Sequence, residues 1–247
     1  MIRLYIIAMQ FLTIIPLPFS VRCEKEDLGR SLAFFPLAGI TIGALLAGLD
    51  QLISPWLPRP LSDAILIALI TLITGALHMD GLADVCDGIA ARGGRDRFLA
   101  VMKDSYVGAV GAAGVTLGLL LKWQALVAVP GGIKWQALLL FPLVARYAQV
   151  QSVAFACSAR IDGLGSVFIA GSGSLQLVAA AIMTLVGAWL LMGFKGTIVF
   201  AIAALFTWFA RLWFNKKIGG ITGDAAGCIS ELNEILALLL VTVLMQF

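Results

Sequence analysis

The sequence predicts an all-α fold: a polytopic transmembrane helix bundle of about seven spans, with an additional N-terminal segment that is partly embedded or interfacial. Three observations carry this expectation. First, 61% of the 247 residues are hydrophobic and 13% are charged, with a mean hydropathy of +1.01. That composition excludes an ordinary soluble domain. Second, apolar runs close to the roughly 20 residues that cross a bilayer recur at 31–53, 61–79, 105–121, 135–157, 175–192, 197–214 and 229–247. Third, the connections "SPWLPRP", "VPGG" and "MGFKG" are short and rich in Pro or Gly, as tight turns between antiparallel helices should be.

At the N-terminus, Pro16 and Pro18 interrupt residues 1–19, so this segment is expected to lie along or partly within the membrane. It runs into "TIIPLPF" without a small-residue cleavage site, and no secretory leader is expected. One membrane domain over residues 1–247 is the simplest partition, with no repeat or low-complexity tract. Cys23, Cys86, Cys157 and Cys228 are far apart with no C-x-x-C pair, giving neither a zinc spacing nor a disulfide framework. The net charge of +3 is modest and its basic residues are scattered, so no nucleic-acid partner is expected. Membrane lipid is the expected surrounding, and a homo-oligomer is compatible with this reading.

Basic residues set the orientation. Arg22, Lys25, Arg30, Arg92, Arg95, Arg97, Lys103, Arg160, Arg211, Lys216 and Lys217 fall on one side, against Arg59, Lys122, Lys134 and Lys195 on the other. The first side is expected to be cytosolic. The same side carries the acidic connections at 80–104, 158–173 and from 215 into the last span.

"LHMDGLADVCDG", residues 77–88, places Asp80, Asp84 and Asp87 at i, i+4 and i+7, one stripe of a helix. Three carboxylates at a membrane boundary repel one another unless a cation sits among them, and intramembrane acids are functional by default. Hard oxygen donors suit Mg²⁺ or Mn²⁺. His78 lies off that stripe and is a candidate acid, base or substrate contact, with a packing role equally open. In "GGITGDAAGCISELNEI", residues 219–235, Asp224, Glu231 and Glu234 recur on one helical face, so the expected metal set is Asp80, Asp84, Asp87, Asp224, Glu231 and Glu234. The glycines from Gly219 to Gly227, Gly223 among them, let a phosphate approach backbone N–H groups at a helix start.

Between these elements, Arg92, Arg95, Arg97 and Lys103 form a rim able to hold a polyphosphate, with Asp104 beside it; a positive-inside anchor explains the same residues equally well. Gly108, Gly111 and Gly114 read as a close-packing face. Arg146 lies inside a span and needs an embedded carboxylate or an anionic substrate as partner. The stretch "IDGLGSVFIAG", residues 161–171, reads as a flexible glycine loop. Together, acids, metal and a basic rim opening from a bilayer suit attack of a hydroxyl on a pyrophosphate ester, with Asp80 or Asp84 free to act as general base.

These residues resemble a known family. "HMDGLADVCDG", "RDRFLAVMKDSYVGAVG", "GLGSVFIAG" and "GGITGDAAGCISELNEI", with "FLTIIPLP" and "FFPLAG" near the start, are similar in order to the bacterial cobalamin synthase family, the adenosylcobinamide-GDP ribazoletransferases. Leu77, in place of an aromatic residue, and Ser166 depart from the pattern without touching a carboxylate. The resemblance implies an integral enzyme of the bacterial inner membrane, active at its cytosolic face, that joins adenosylcobinamide-GDP to α-ribazole or its 5′-phosphate, releases GMP and uses Mg²⁺. It implies catalytic and metal-binding roles for the acidic motifs. A CDP-alcohol phosphatidyltransferase fits less well, because Asp80-Gly81 is not followed by Ala-Arg. A prenyltransferase is disfavoured by the glycine-heavy second motif. A cation-coupled transporter would place acids deep within broken helices of related halves.

Overall fold

The computed structural model describes residues 1–16, 21–160 and 163–245, and every regular element within them is helical apart from a single parallel bridge between Ser158 and Ile221. Pro18, Ile161 and Asp162 lie outside the described residues.

The chain opens with α1 (Ile2–Leu12), whose 11 residues are too few to cross a bilayer by themselves. It packs on α2 (Lys25–Ser31) and α3 (Phe35–Ile53), and Arg3 of α1 pairs with Asp27 of α2. Pro36 sits in the first turn of α3, where its missing N–H costs nothing.

The expected span at 61–79 is broken. Helix α4 (Arg59–Ile73) ends at Thr74, and α5 (Leu77–Ala90) leaves it at 89°. The corner is made by Gly75 and Ala76, at φ of 58° and 55°. Left-handed backbone at two successive residues cannot continue a right-handed helix. The acidic stripe therefore sits on a helix that turns away from the preceding apolar one.

Next come α6 (Arg95–Val101), α7 (Ala109–Ala128) and α8 (Lys134–Val153). Helix α8 forms the centre of the bundle and is buried along nearly its whole length, Arg146 and Gln149 included. It packs most closely on α3, where a Cβ at Gly39 would stand 2.6 Å from the Pro142 carbonyl oxygen. Small residues allow that backbone approach, the main source of helix association in lipid.

The expected glycine loop at 161–171 contains a helix, α9 (Leu164–Gly171). Its glycines serve contact rather than flexibility: Gly171 lies directly against Gly29 of α2, and a Cβ at Gly165 would stand 2.7 Å from the Gly223 nitrogen.

Helix α10 (Ser174–Ile218) has 45 residues, which laid straight would reach about 70 Å, over twice the ~30 Å of bilayer hydrocarbon. It does not run straight. Met192 and Gly193 leave the helical region, Gly193 at φ 57°, and the backbone at Gly196 comes against the Ala188 carbonyl. Ser172, just before α10, bonds the Val153 carbonyl, and Arg211, near its end, bonds the Phe155 carbonyl. Both ends therefore meet the same end of α8, and the halves fold back on one another at the expected "MGFKG" turn. The last helix is α11 (Gly223–Leu244), capped by Thr222, whose side chain accepts from the Ala225 N–H.

By length and composition, four helices among the described residues can cross a membrane: the continuous 25–53 segment, α7, α10 and α11. The number is five if the bent α4–α5 pair is one span. This count is below the expected seven, because α10 is taken as a single helix and α8, with Lys134, Arg146 and its glutamines, is less apolar than its burial implies. The architecture is all-helical and multi-pass.

Candidate active site

Residues from α1, α3, α5, α8, α9 and α11 enclose a cavity of about 270 Å³ at one end of the bundle. Its polar side is built by the crossing of α5 and α11, which is close because a Cβ at Gly81 would stand 2.5 Å from the Asp224 carbonyl oxygen. Asp80, Asp224, Thr222 and Gly223 line this side, together with Ser158, Arg160, Gly163, Gly165 and Ser166 from the segment packed against the start of α11. Arg160 is held there by the short bridge, in which Ile221 N–H donates to the Cys157 carbonyl and Ala159 N–H donates to the Ile221 carbonyl. Its guanidinium then donates to Asp224 at 3.1 Å and to the Leu99 carbonyl at 3.0 Å.

Asp84 lies one turn from Asp80, within electrostatic reach of Asp80, Asp224, Asp87 and Arg160. Asp80, Asp84 and Asp224 thus share one neighbourhood with a single close guanidinium, so carboxyl groups outnumber cations there. Among the described residues no three carboxylate, imidazole or thiol groups stand in metal-holding geometry. The donor chemistry nonetheless suits a hard cation: Asp80 and Asp224 face the cavity from two helices, with Asp84 one turn from Asp80 and room for water and phosphate oxygens.

The other expected metal residues stand elsewhere. Asp87 accepts the Gly108 and Gly111 N–H groups, each at 2.7 Å, and so caps the start of α7. This close approach explains the small residues expected to form a packing face there. Glu231 and Glu234 lie two to three turns into α11, where Lys122 donates to them at 2.5 and 2.7 Å. Arg146 stands 3.2 Å from Glu234 and donates to Ser230 at 2.7 Å. All four charged groups are at most 4% exposed. Two acids and two bases in one buried cluster neutralise one another, so this site has no charge left for a metal. Lys122, counted from sequence with the outer connections, is instead an interior residue of α7, and Arg146 meets an embedded carboxylate rather than the cavity.

Of the expected substrate contacts, Gly223 lines the cavity, whereas Arg92, Arg95, Lys103 and Asp104 stand outside its lining. Arg95 donates to the Ile218 and Ala159 carbonyls and so ties down the end of α10. Asp104 accepts the Tyr106 N–H. Arg92 and Lys103 are exposed. His78 lines the cavity at 2% exposure, and neither of its ring nitrogens has a hydrogen-bond partner among the described residues.

Sequence reasoning missed Arg160 as a site residue, along with Gln149, Phe11, Phe35 and Phe168 of the lining. Gln149 follows Arg146 by three positions, so a second polar residue on the same face of an apolar helix was a visible signal. The aromatic residues come from three separate elements, and no local pattern joins them.

Residues 4–242 match the cobalamin-5-phosphate synthase family. The chain belongs to that family. It is 62% identical to the adenosylcobinamide-GDP ribazoletransferase of Geotalea daltonii, over 97% of this chain and 96% of the relative. It is also 34% identical to the protein of that name from Acetivibrio thermocellus, over 93% of each chain, and 33% identical to that of Clostridium botulinum strain Langeland, over 96% of each. No solved structure matches the chain. The four cysteines are free thiols.

Proposed function

We propose that the chain is a membrane transferase that joins adenosylcobinamide-GDP to α-ribazole or its 5′-phosphate and releases GMP, in the assembly of the cobalamin nucleotide loop. The observation that carries this reading is the near full-length likeness to ribazoletransferases, supported by a cavity whose polar side gathers the acids of both sequence motifs. The 3′-hydroxyl of the ribose attacks the phosphorus that bears the cobinamide arm. A new P–O bond forms, the bond from that phosphorus to the bridging oxygen breaks, and GMP leaves with the electron pair.

Asp80, which lines the cavity, takes the hydroxyl proton as general base, and Asp84 and Asp224 stand beside it as further oxygen donors. Mg²⁺, held by Asp80, Asp84 and Asp224 together with phosphate and water oxygens, would offset charge on the pyrophosphate. Arg160 and the N–H groups at the start of α11, near Gly223, orient phosphate oxygens. His78 hydrogen-bonds substrate through a ring nitrogen. By the basic-residue asymmetry the cavity faces the cytosol of a bacterial inner membrane. With α8 and both halves of α10 counted, and α4–α5 as one, the chain crosses seven times.

Protein purified into lipid vesicles and given adenosylcobinamide-GDP, α-ribazole 5′-phosphate and Mg²⁺ should release GMP in step with loss of both substrates. GMP no higher than with boiled protein would remove this assignment.

A further inference from the structure

The lining of the cavity also has a different chemistry. Phe11 of α1, Phe35 of α3 and Phe168 of α9 meet there, with ring centroids 4.5 Å apart for Phe11 and Phe168, 5.8 Å for Phe35 and Phe168, and 6.0 Å for Phe11 and Phe35. Gln149 joins them on the lining. It is 5% exposed, and its side-chain oxygen has no partner among the described residues. A buried amide oxygen without a partner costs free energy, so a purely packing role leaves it unexplained.

A wall of aromatic rings with one unsatisfied amide fits a flat, mostly apolar heterocycle carrying few polar edge atoms. An acyl chain would leave the amide unpaired. Guanine would bury a polar edge that this wall has too few groups to satisfy. Size separates the two substrates as well: a cavity of about 270 Å³ is near the lower end for a drug-sized ligand, and a corrinoid is several times larger than a nucleoside.

We propose that Phe11, Phe35, Phe168 and Gln149 form the seat of the benzimidazole of the attacking nucleoside, while the corrinoid of the other substrate remains outside the cavity. The inference rests on the transferase reading and adds which substrate occupies the enclosed space. With the base against the phenyl rings, its ribose extends toward Asp80 and Asp224. The Gln149 side-chain oxygen accepts from a hydroxyl of the nucleoside's ribose, and the base, with one acceptor nitrogen on its edge, buries little polar surface against the rings.

The test measures KM for each substrate separately, by GMP release from protein in phosphatidylethanolamine and phosphatidylglycerol vesicles. Gln149→Leu and Phe168→Ala should each raise KM for α-ribazole about tenfold, the scale of one lost hydrogen bond or ring contact, with KM for adenosylcobinamide-GDP within about twofold. A rise confined to adenosylcobinamide-GDP, or no change in either, would overturn the assignment. Wild-type protein that releases no GMP would instead overturn the transferase reading on which it stands. Because either variant can fail to fold, an azidobenzimidazole riboside is also photolysed with wild-type protein. Label on peptides that carry Gln149 or Phe168, competed by α-ribazole, supports the seat; label confined to residues 92–104 refutes it.

Discussion

Helix α11 carries two acidic regions with opposite arrangements. At its start, Asp224 and Asp80 line an open cavity beside a single close guanidinium, Arg160, with Asp84 in electrostatic reach of both. Two to three turns further in, Glu231 and Glu234 are enclosed with Lys122 and Arg146, acid for base, and at most 4% exposed. An unbalanced set of carboxylates open to a cavity attracts cations and ligands. A balanced set sealed between helices holds α7, α8 and α11 in register, since removing one member strands a buried charge. The two regions look alike in sequence, and only their partners tell them apart.

Substitutions that remove charge from one region or the other sharpen this contrast. The largest expected effect is at the cavity: Asp80→Asn should lower GMP release by about 10⁴-fold, because a metal donor and the general base are lost together. The melting temperature in detergent should stay within a few degrees, since Asp80 is exposed. Near-normal turnover would remove Asp80 from the site.

In the sealed region the order is reversed. Lys122→Met should destabilise the protein by about 3–5 kcal/mol, read as a fall in melting temperature and in yield of folded protein. Adding Glu231→Gln should recover part of that loss. Unchanged melting of the single variant would mean that the cluster is solvated rather than sealed. The smallest effect belongs to Arg160→Ala, which should raise the KM for adenosylcobinamide-GDP about tenfold, the scale of a charged hydrogen bond, and leave melting nearly unchanged.

The same contrast explains what was legible in the sequence. Apolar runs and Pro/Gly turns located most of the helices, and spacing along a helix, which maps directly onto a face, put Asp80 and Asp84 on one stripe. That Asp224 of the other stripe comes beside them, and that Asp87 does not face the cavity, follows from packing. The 89° corner at Gly75 and Ala76 was hidden within a continuous apolar run, since hydropathy has no term for backbone φ. Glu231 and Glu234 were grouped with the metal site because they share a helix with Asp224. Their neutralising partner, Lys122, comes from a helix more than a hundred positions earlier, and no local pattern records that pairing. Arg160 was missed for the same reason: it reaches the cavity through the bridge between Ser158 and Ile221, which joins distant segments.

Divalent-metal removal tests the central contrast most directly, with GMP release and thermal unfolding followed in the same preparation. Treatment with EDTA should abolish GMP release, restored by added Mg²⁺, while the melting temperature stays unchanged, because the sealed cluster neutralises itself. A melting temperature that falls with EDTA while GMP release persists would place the cation in the interior cluster and contradict the account.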